Sequence, residues 1–95
     1  MAKKRLDLKV VPTRPIDGYW ITVDGVGVTM DGIAHSGAVL LDSPEHHSIQ
    51  YFMQGPSGSL AITGIDAALQ VTVVTVNAGI IAGKRYGFGN KDFLL

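Results

Sequence analysis

Twelve glycines and four prolines punctuate this chain so closely that most of it is left in pieces of strand length, and those pieces are rich in Val, Ile, Thr and aromatic residues. Side chains that are aromatic or branched at Cβ favour a pleated backbone, while glycine and proline favour the turns between strands. No window carries the apolar periodicity of a helix. Leu6, Leu8 and Val10 alternate with Asp7 and Lys9, the period of two expected of a strand with one buried face, and Pro12 and Pro15 end it.

The next segment, Tyr19 to Met30, predicts a hairpin. One strand ends at Val23, Asp24-Gly25 offers the positive φ that a tight turn requires, and a second strand runs from Val26 to Met30 and stops at Asp31-Gly32. Ala38 to Leu41 is a short apolar strand and Ser43-Pro44 a turn. His47 to Gln54 follows, with Ile49, Tyr51 and Met53 on one face and Phe52 turned outward. Gly55-Pro56-Ser57-Gly58 is a turn by composition, and Leu60 to Thr63 a strand. Leu69 to Val76 is expected to bury Leu69, Val71 and Val73 on one side and Val74 and Val76 on the other, as a strand that is central, bulged or at an interface. Arg85 to Phe88 and Asp92 to Leu95 close the chain. About eight or nine short strands at this spacing predict an all-β fold, a small antiparallel β-sandwich of immunoglobulin-like kind or a small barrel.

Ninety-five residues make a single β domain, residues 1–95, in which folding hides roughly 60 to 65% of the surface of the unfolded chain. The hydrophobic fraction is 46% and only 17% of residues are charged, against about 25% in an ordinary soluble domain. Too little charge remains to coat a free monomer, so part of the apolar surface is expected to face other protein subunits, as in a homo-oligomer. There is no cysteine, which excludes disulfides, a thiol nucleophile and cysteine zinc sites. The basic start is interrupted by Asp7, Lys9 and Pro12 before any leader-like apolar stretch. The low-polarity run Val71 to Gly83 falls short of the roughly 20 residues that span a bilayer. No signal peptide and no membrane insertion are expected.

Charge is strongly polarised. All eight cations lie near the ends, at Lys3, Lys4, Arg5, Lys9 and Arg14 and at Lys84, Arg85 and Lys91, while Asp17, Asp24, Asp31, Asp42, Glu45 and Asp66 occupy the middle. Residues 1–5 are therefore expected to form a basic N-terminal arm and 84–95 a basic-aromatic C-terminal segment. If the chain ends meet in the fold, these make one basic pole on an acidic body, suited to docking on an acidic neighbour.

From Val23 to Ile62 the order Val23-Asp24-Gly25, an apolar strand, Ser43-Pro44-Glu45-His46-His47, Ile49-Gln50-Tyr51 and Gly55-Pro56-Ser57-Gly58 resembles PEGA-type and other small immunoglobulin-like surface modules. The resemblance implies a non-catalytic sandwich and carries no functional residue across.

Chemistry has little purchase here. The possible metal ligands or proton-transfer groups are Asp42, Glu45, His46 and His47, with His35 upstream. Adjacent histidines in a strand point to opposite faces, so His46 and His47 cannot share one metal there. No G-x-S-x-G elbow, dinucleotide fingerprint or phosphate loop occurs. No enzyme activity, metal or cofactor is expected. The segment Lys84-Arg85-Tyr86-Gly87-Phe88 resembles the aromatic strand of RNA-recognition and cold-shock domains, which implies base stacking on Tyr86 and Phe88 with Arg85 as the cation. Glycan or protein recognition through Trp20, Tyr19 and Tyr51 is a further alternative, although a lone Trp in a β domain ordinarily belongs to the core.

The function expected from the sequence is that of a non-catalytic structural or interaction subunit of a larger assembly, such as a capsid-decoration or tail-associated accessory protein of a bacteriophage virion. Its place would be the virion or the host cytoplasm. Its partners would be further copies or capsid and tail proteins, contacted through Lys3, Lys4, Arg5, Arg14, Lys84, Arg85, Phe93 and Leu94, with Leu95 completing a buried tail. Nucleic acid, bound through Arg85, Tyr86 and Phe88, is the alternative partner.

Overall fold

The computed structural model describes residues 2–13 and 16–95. They form eight strands and no helix: β1 (Ala2–Pro12), β2 (Gly18–Val23), β3 (Val26–Gly27), β4 (Ser36–Ser43), β5 (His46–Gln54), β6 (Ser59–Asp66), β7 (Val71–Gly79) and β8 (Tyr86–Leu94). With no helix among the described residues, none is long and apolar enough to cross a membrane. Two antiparallel four-stranded sheets, β4-β1-β6-β7 and β3-β2-β5-β8, pack face to face as a sandwich rather than closing into a barrel.

Alternation along the strands decides what lies between the sheets. Leu6, Leu8 and Val10 of β1, Leu60 and Ile62 of β6 and Val74 and Val76 of β7 face Ile21 and Val23 of β2, Ile49 and Met53 of β5 and Phe93 of β8, all buried in one core. At about 25 cal/mol per Å2 of apolar surface removed from water, this shared layer is what fixes the register of both sheets.

Several elements differ from their expected form. β3 ends at Gly27, not Met30, because the chain leaves sheet β3-β2-β5-β8 at Val28, whose N–H donates to the Ile21 carbonyl at 3.0 Å, and crosses to the other sheet. Val28 and Met30 turn in to pack against the core instead of extending the hairpin. The turn itself is as the sequence predicts, with φ of 53° at Asp24 and 81° at Gly25. The two expected C-terminal strands are one, because β8 pairs with β5 without interruption from Tyr86 to Leu94. In β7 the register shifts opposite Gly64 and Ile65. That bulge turns Val74 and Val76 inward. Leu69 and Val71, expected to be buried, are 65% and 52% exposed, since β7 is an edge strand and Leu69 lies in the turn before it.

Residues 2–5 belong to β1, where they pair with residues 40–43 of β4, and do not project as an arm. The chain ends do approach each other. Ala2 pairs with Ser43, whose hydroxyl donates to the Leu95 carbonyl at 3.0 Å, and Leu95 N–H donates to the Glu45 carbonyl at 3.1 Å. Lys84 and Arg85, however, lie at the other end of β5, where Gly55 N–H donates to the Arg85 carbonyl at 2.9 Å. Lys3, Lys4 and Arg5 on one side and Lys84 and Arg85 on the other therefore occupy opposite ends of a molecule 44 Å long, Lys91 stands between them opposite Ile49, and the described cations make no single basic pole.

Candidate functional site

The outward faces of the two sheets differ in kind. On the face of β4-β1-β6-β7, cations and carboxylates neutralise one another: Lys3 Nζ lies 2.7 Å from Asp42 Oδ1, and Arg5 Nε lies 3.0 Å from Asp7 Oδ1. Lys4 shares the inward parity of Leu6 and so reaches the buried Asp66, Nζ to Oδ2, at 3.1 Å. That pair is structural. The Asp66 carboxyl is held below the ordinary carboxylate range by Lys4, helped by the Ala68 and Leu69 N–H groups it accepts at 3.0 and 3.3 Å.

The outward face of β3-β2-β5-β8 is aromatic. Ile21 and Val23 point into the core, so Trp20, immediately before Ile21, must point out, and it is 55% exposed. The Trp of this chain is therefore a surface residue, contrary to the core role expected of it. On β5, Ile49 and Met53 face inward and Phe52 outward; on β8, Gly87 and Phe93 are buried while Tyr86 and Phe88 face outward.

Register then brings these side chains together. Trp20 is directly opposite Phe52 across β2 and β5, and Phe52 directly opposite Phe88 across β5 and β8. Three aromatic residues thus occupy one rung of the sheet. Ring centroids lie 5.5 Å apart for Trp20–Phe52, 6.4 Å for Phe52–Tyr86 and 6.2 Å for Tyr86–Phe88, with the last two pairs near parallel at 9° and 20°. The Trp20–Phe52 spacing reflects the separation of neighbouring strands, about 4.8 Å, and the Tyr86–Phe88 spacing the rise of about 3.4 Å per residue along one strand.

The flanking rungs are polar and carry no formal charge. On one side Thr22, Gln50 and Asn90 stand opposite one another; on the other, Gly18, Gln54 and Tyr86 do. Gln50 is fixed in place, because its Oε1 accepts from the Thr22 hydroxyl at 2.7 Å and from Gly25 N–H at 3.1 Å, while its Nε2 donates to Ser48 Oγ at 2.9 Å. Shallow depressions of about 140 Å3, beside Trp20, Gln50 and Phe52, and about 450 Å3, beside Gln50, Phe88 and Asn90, lie along the aromatic rung.

The remaining candidate residues fall elsewhere. Tyr19 is half-buried with its hydroxyl 2.6 Å from His35 Nδ1. Tyr51 is half-buried, lies over Gly89 and does not join the aromatic row. Phe93 is in the core at 5% exposure and cannot meet a partner, whereas Leu94 is exposed. Lys84 and Arg85 sit in the turn before β8, with no carboxylate in ion-pair range among the described residues. Arg14 lies outside the described residues. His46 is exposed and His47 buried, on opposite faces of β5 as strand geometry requires. His47 Nε2 donates to the Asp42 carbonyl at 2.7 Å and Nδ1 meets Asp24 Oδ2 at 2.6 Å, a geometry that favours the doubly protonated ring. Among the described residues no group of three acidic or histidine side chains is arranged to hold a metal.

Comparison of the chain with protein-family models, with curated proteins and with solved structures found no match.

Proposed function

We propose that this protein is a non-catalytic recognition module, a subunit of a larger assembly, whose contact surface is the outward aromatic face of the β3-β2-β5-β8 sheet. The observation that carries the proposal is the rung Trp20–Phe52–Phe88 with Tyr86 stacked beside it. Four large rings left in water on one side of a small domain represent apolar surface that a partner would cover, and aromatic residues are the side chains most enriched where partners meet. A virion accessory role, expected from the sequence, is one setting in which such a module would serve.

Comparing the purified protein with a Trp20→Ser/Phe88→Ser double variant tests this. Each is offered neutral polysaccharide, single-stranded oligonucleotide and a second copy of itself. Binding by the wild type that disappears in an equally stable double variant supports the proposal. Binding retained by both would move the contact elsewhere, for instance to Lys3, Arg5 and Lys9, and overturn it.

A second proposal, single-stranded nucleic acid, is favoured by the exposure of Tyr86 and Phe88 next to the uncompensated Lys84 and Arg85. It requires affinity that falls steeply with salt and that drops on Tyr86→Ala.

A further inference from the structure

We infer that the ligand of the aromatic face is an uncharged polysaccharide chain, laid across the strands of the sheet along the Trp20–Phe52–Phe88 rung. The inference rests on the proposal that this face is the contact surface and adds the chemistry of what it contacts.

Charge is the first discriminator. None of the residues on the aromatic rung and the rungs either side of it, Gly18, Gln54 and Tyr86, then Trp20, Phe52 and Phe88, then Thr22, Gln50 and Asn90, carries a formal charge; the first charge on this face is Asp92, one rung further on. A phosphodiester backbone crossing these three rungs would find no cation on them: Lys84 and Arg85 lie in the turn before β8, Lys3, Lys4, Arg5 and Lys9 belong to the other sheet, and Lys91, the one cation of β8, stands opposite Ile49 with the parity opposite to that of Phe88 and Asn90. An acidic glycan fails for the same reason.

The order of the rungs is the second. A pyranose ring offers two kinds of surface, C–H bonds on its faces and hydroxyl groups around its rim. The C–H face is attracted to the electron-rich face of an aromatic ring. Hydroxyls pair with amides, which offer both donors and acceptors. A chain of such rings lying on the aromatic rung would have Gln50, Asn90 and Thr22 along one rim and Gln54 and the Tyr86 hydroxyl along the other. The spacing of 5.5 Å between Trp20 and Phe52 is comparable with the repeat of successive sugars in an extended chain, so two consecutive residues can each find a platform. An apolar protein partner has no use for two amide rungs. Gln50 is clamped by three hydrogen bonds that fill its Oε1 and leave one Nε2–H, held in a fixed position, to donate to a hydroxyl.

The test is affinity electrophoresis of the full chain in gels containing hydroxyethylcellulose, xylan, galactomannan or mixed-linkage β-glucan. Polygalacturonate gels and an oligo-dT shift assay run in parallel, with Trp20 emission as a second readout. The expected result is retardation by at least one neutral polymer, unchanged between low and high salt. That affinity falls more than tenfold in Trp20→Ala and Phe52→Ala, with their thermal midpoints unaltered, and several-fold in Gln50→Ala assayed below its own midpoint. No retardation by any of the four neutral polymers overturns the inference. Salt-sensitive binding of oligo-dT lost in Tyr86→Ala, or a dimer that Trp20→Ala dissociates, would also overturn it while leaving the aromatic face as the contact surface. If Trp20→Ala and Phe88→Ala change none of these measurements, the face itself is not the contact surface and both proposals fall.

Discussion

A Cβ atom on Gly87 would stand 2.5 Å from the carbonyl oxygen of Gly79. The two glycines bring the edge of one sheet, β7, against the edge of the other, β8, and close one margin of the sandwich at backbone contact. The approach also sets the position of β8, and hence of Tyr86 and Phe88 on either side of Gly87.

Gly87→Ala has no flexible side chain to push aside, only backbone, so the strands must part. We expect a loss of about 1–3 kcal/mol by urea denaturation, the usual cost of overpacking. Gly27→Ala, whose added methyl meets nothing within 4 Å, is the control and should stay within about 0.5 kcal/mol of wild type.

Asp66 and Asp42 each meet a lysine with very different consequences. Asp66→Ala strips Lys4 of its buried partner and the Ala68 and Leu69 amides of their acceptor. Thermal unfolding should show a clear drop in midpoint. Asp42→Ala removes only the exposed partner of Lys3, a contact of the kind worth about 0–1 kcal/mol, and should barely move it.

Stability should peak in the mildly acidic range. Burial opposes a charge on His47, but the Asp42 carbonyl and then the Asp24 carboxylate outweigh it and raise its pKa above the ordinary 6.5. The His47 contribution is therefore fully present below that ordinary value and is lost as pH rises through the raised one. For Asp24, burial opposes ionisation, but the hydrogen bonds from His47 and Ser48 outweigh it; Asp66 is lowered chiefly by Lys4. Their contributions are present above 3.8 and lost as pH falls through the lowered values. Thermal midpoints recorded across pH should decline on both sides, and His47→Gln should flatten the alkaline limb.

Phe93 and Phe88 are both outer-strand phenylalanines of β8, yet one is 5% and the other 62% exposed. Phe93→Ala should cost about 3–5 kcal/mol as a core truncation. Phe88→Ala should leave urea unfolding nearly unchanged. Trp20 should fluoresce with a red-shifted maximum and quench readily with acrylamide; a blue-shifted, protected Trp would place it in the core.

Much of this arrangement was legible from alternation alone. Ile49 and Met53 set the inward parity of β5 and so turn Phe52 out, and Tyr86 and Phe88 share a face because one residue separates them. The same rule, applied between Tyr19 and Val23, places Trp20 outside, against the general tendency of a lone Trp to be buried. Strand pairing was not legible, because the ladders that hold β2, β5 and β8 side by side join residues 26 to 48 positions apart and leave no local mark on the sequence. The aromatic rung is a product of that pairing. The cationic segments were likewise visible, but their separation to opposite ends depends on β8 running the full length of β5.

The clamped Gln50 and the rings fixed at strand spacing have a thermodynamic corollary. Recognition surfaces built on loops lose configurational freedom when they are occupied, which subtracts from affinity. Here the contacts stand on strand backbone above the core, held by ladders on both sides at Gln50, Phe52 and Gln54 and on one side at Trp20, Tyr86 and Phe88. Occupancy would order little that is not ordered in the free protein, so the affinity of a single copy would be limited by contact area and would grow chiefly by arraying copies side by side.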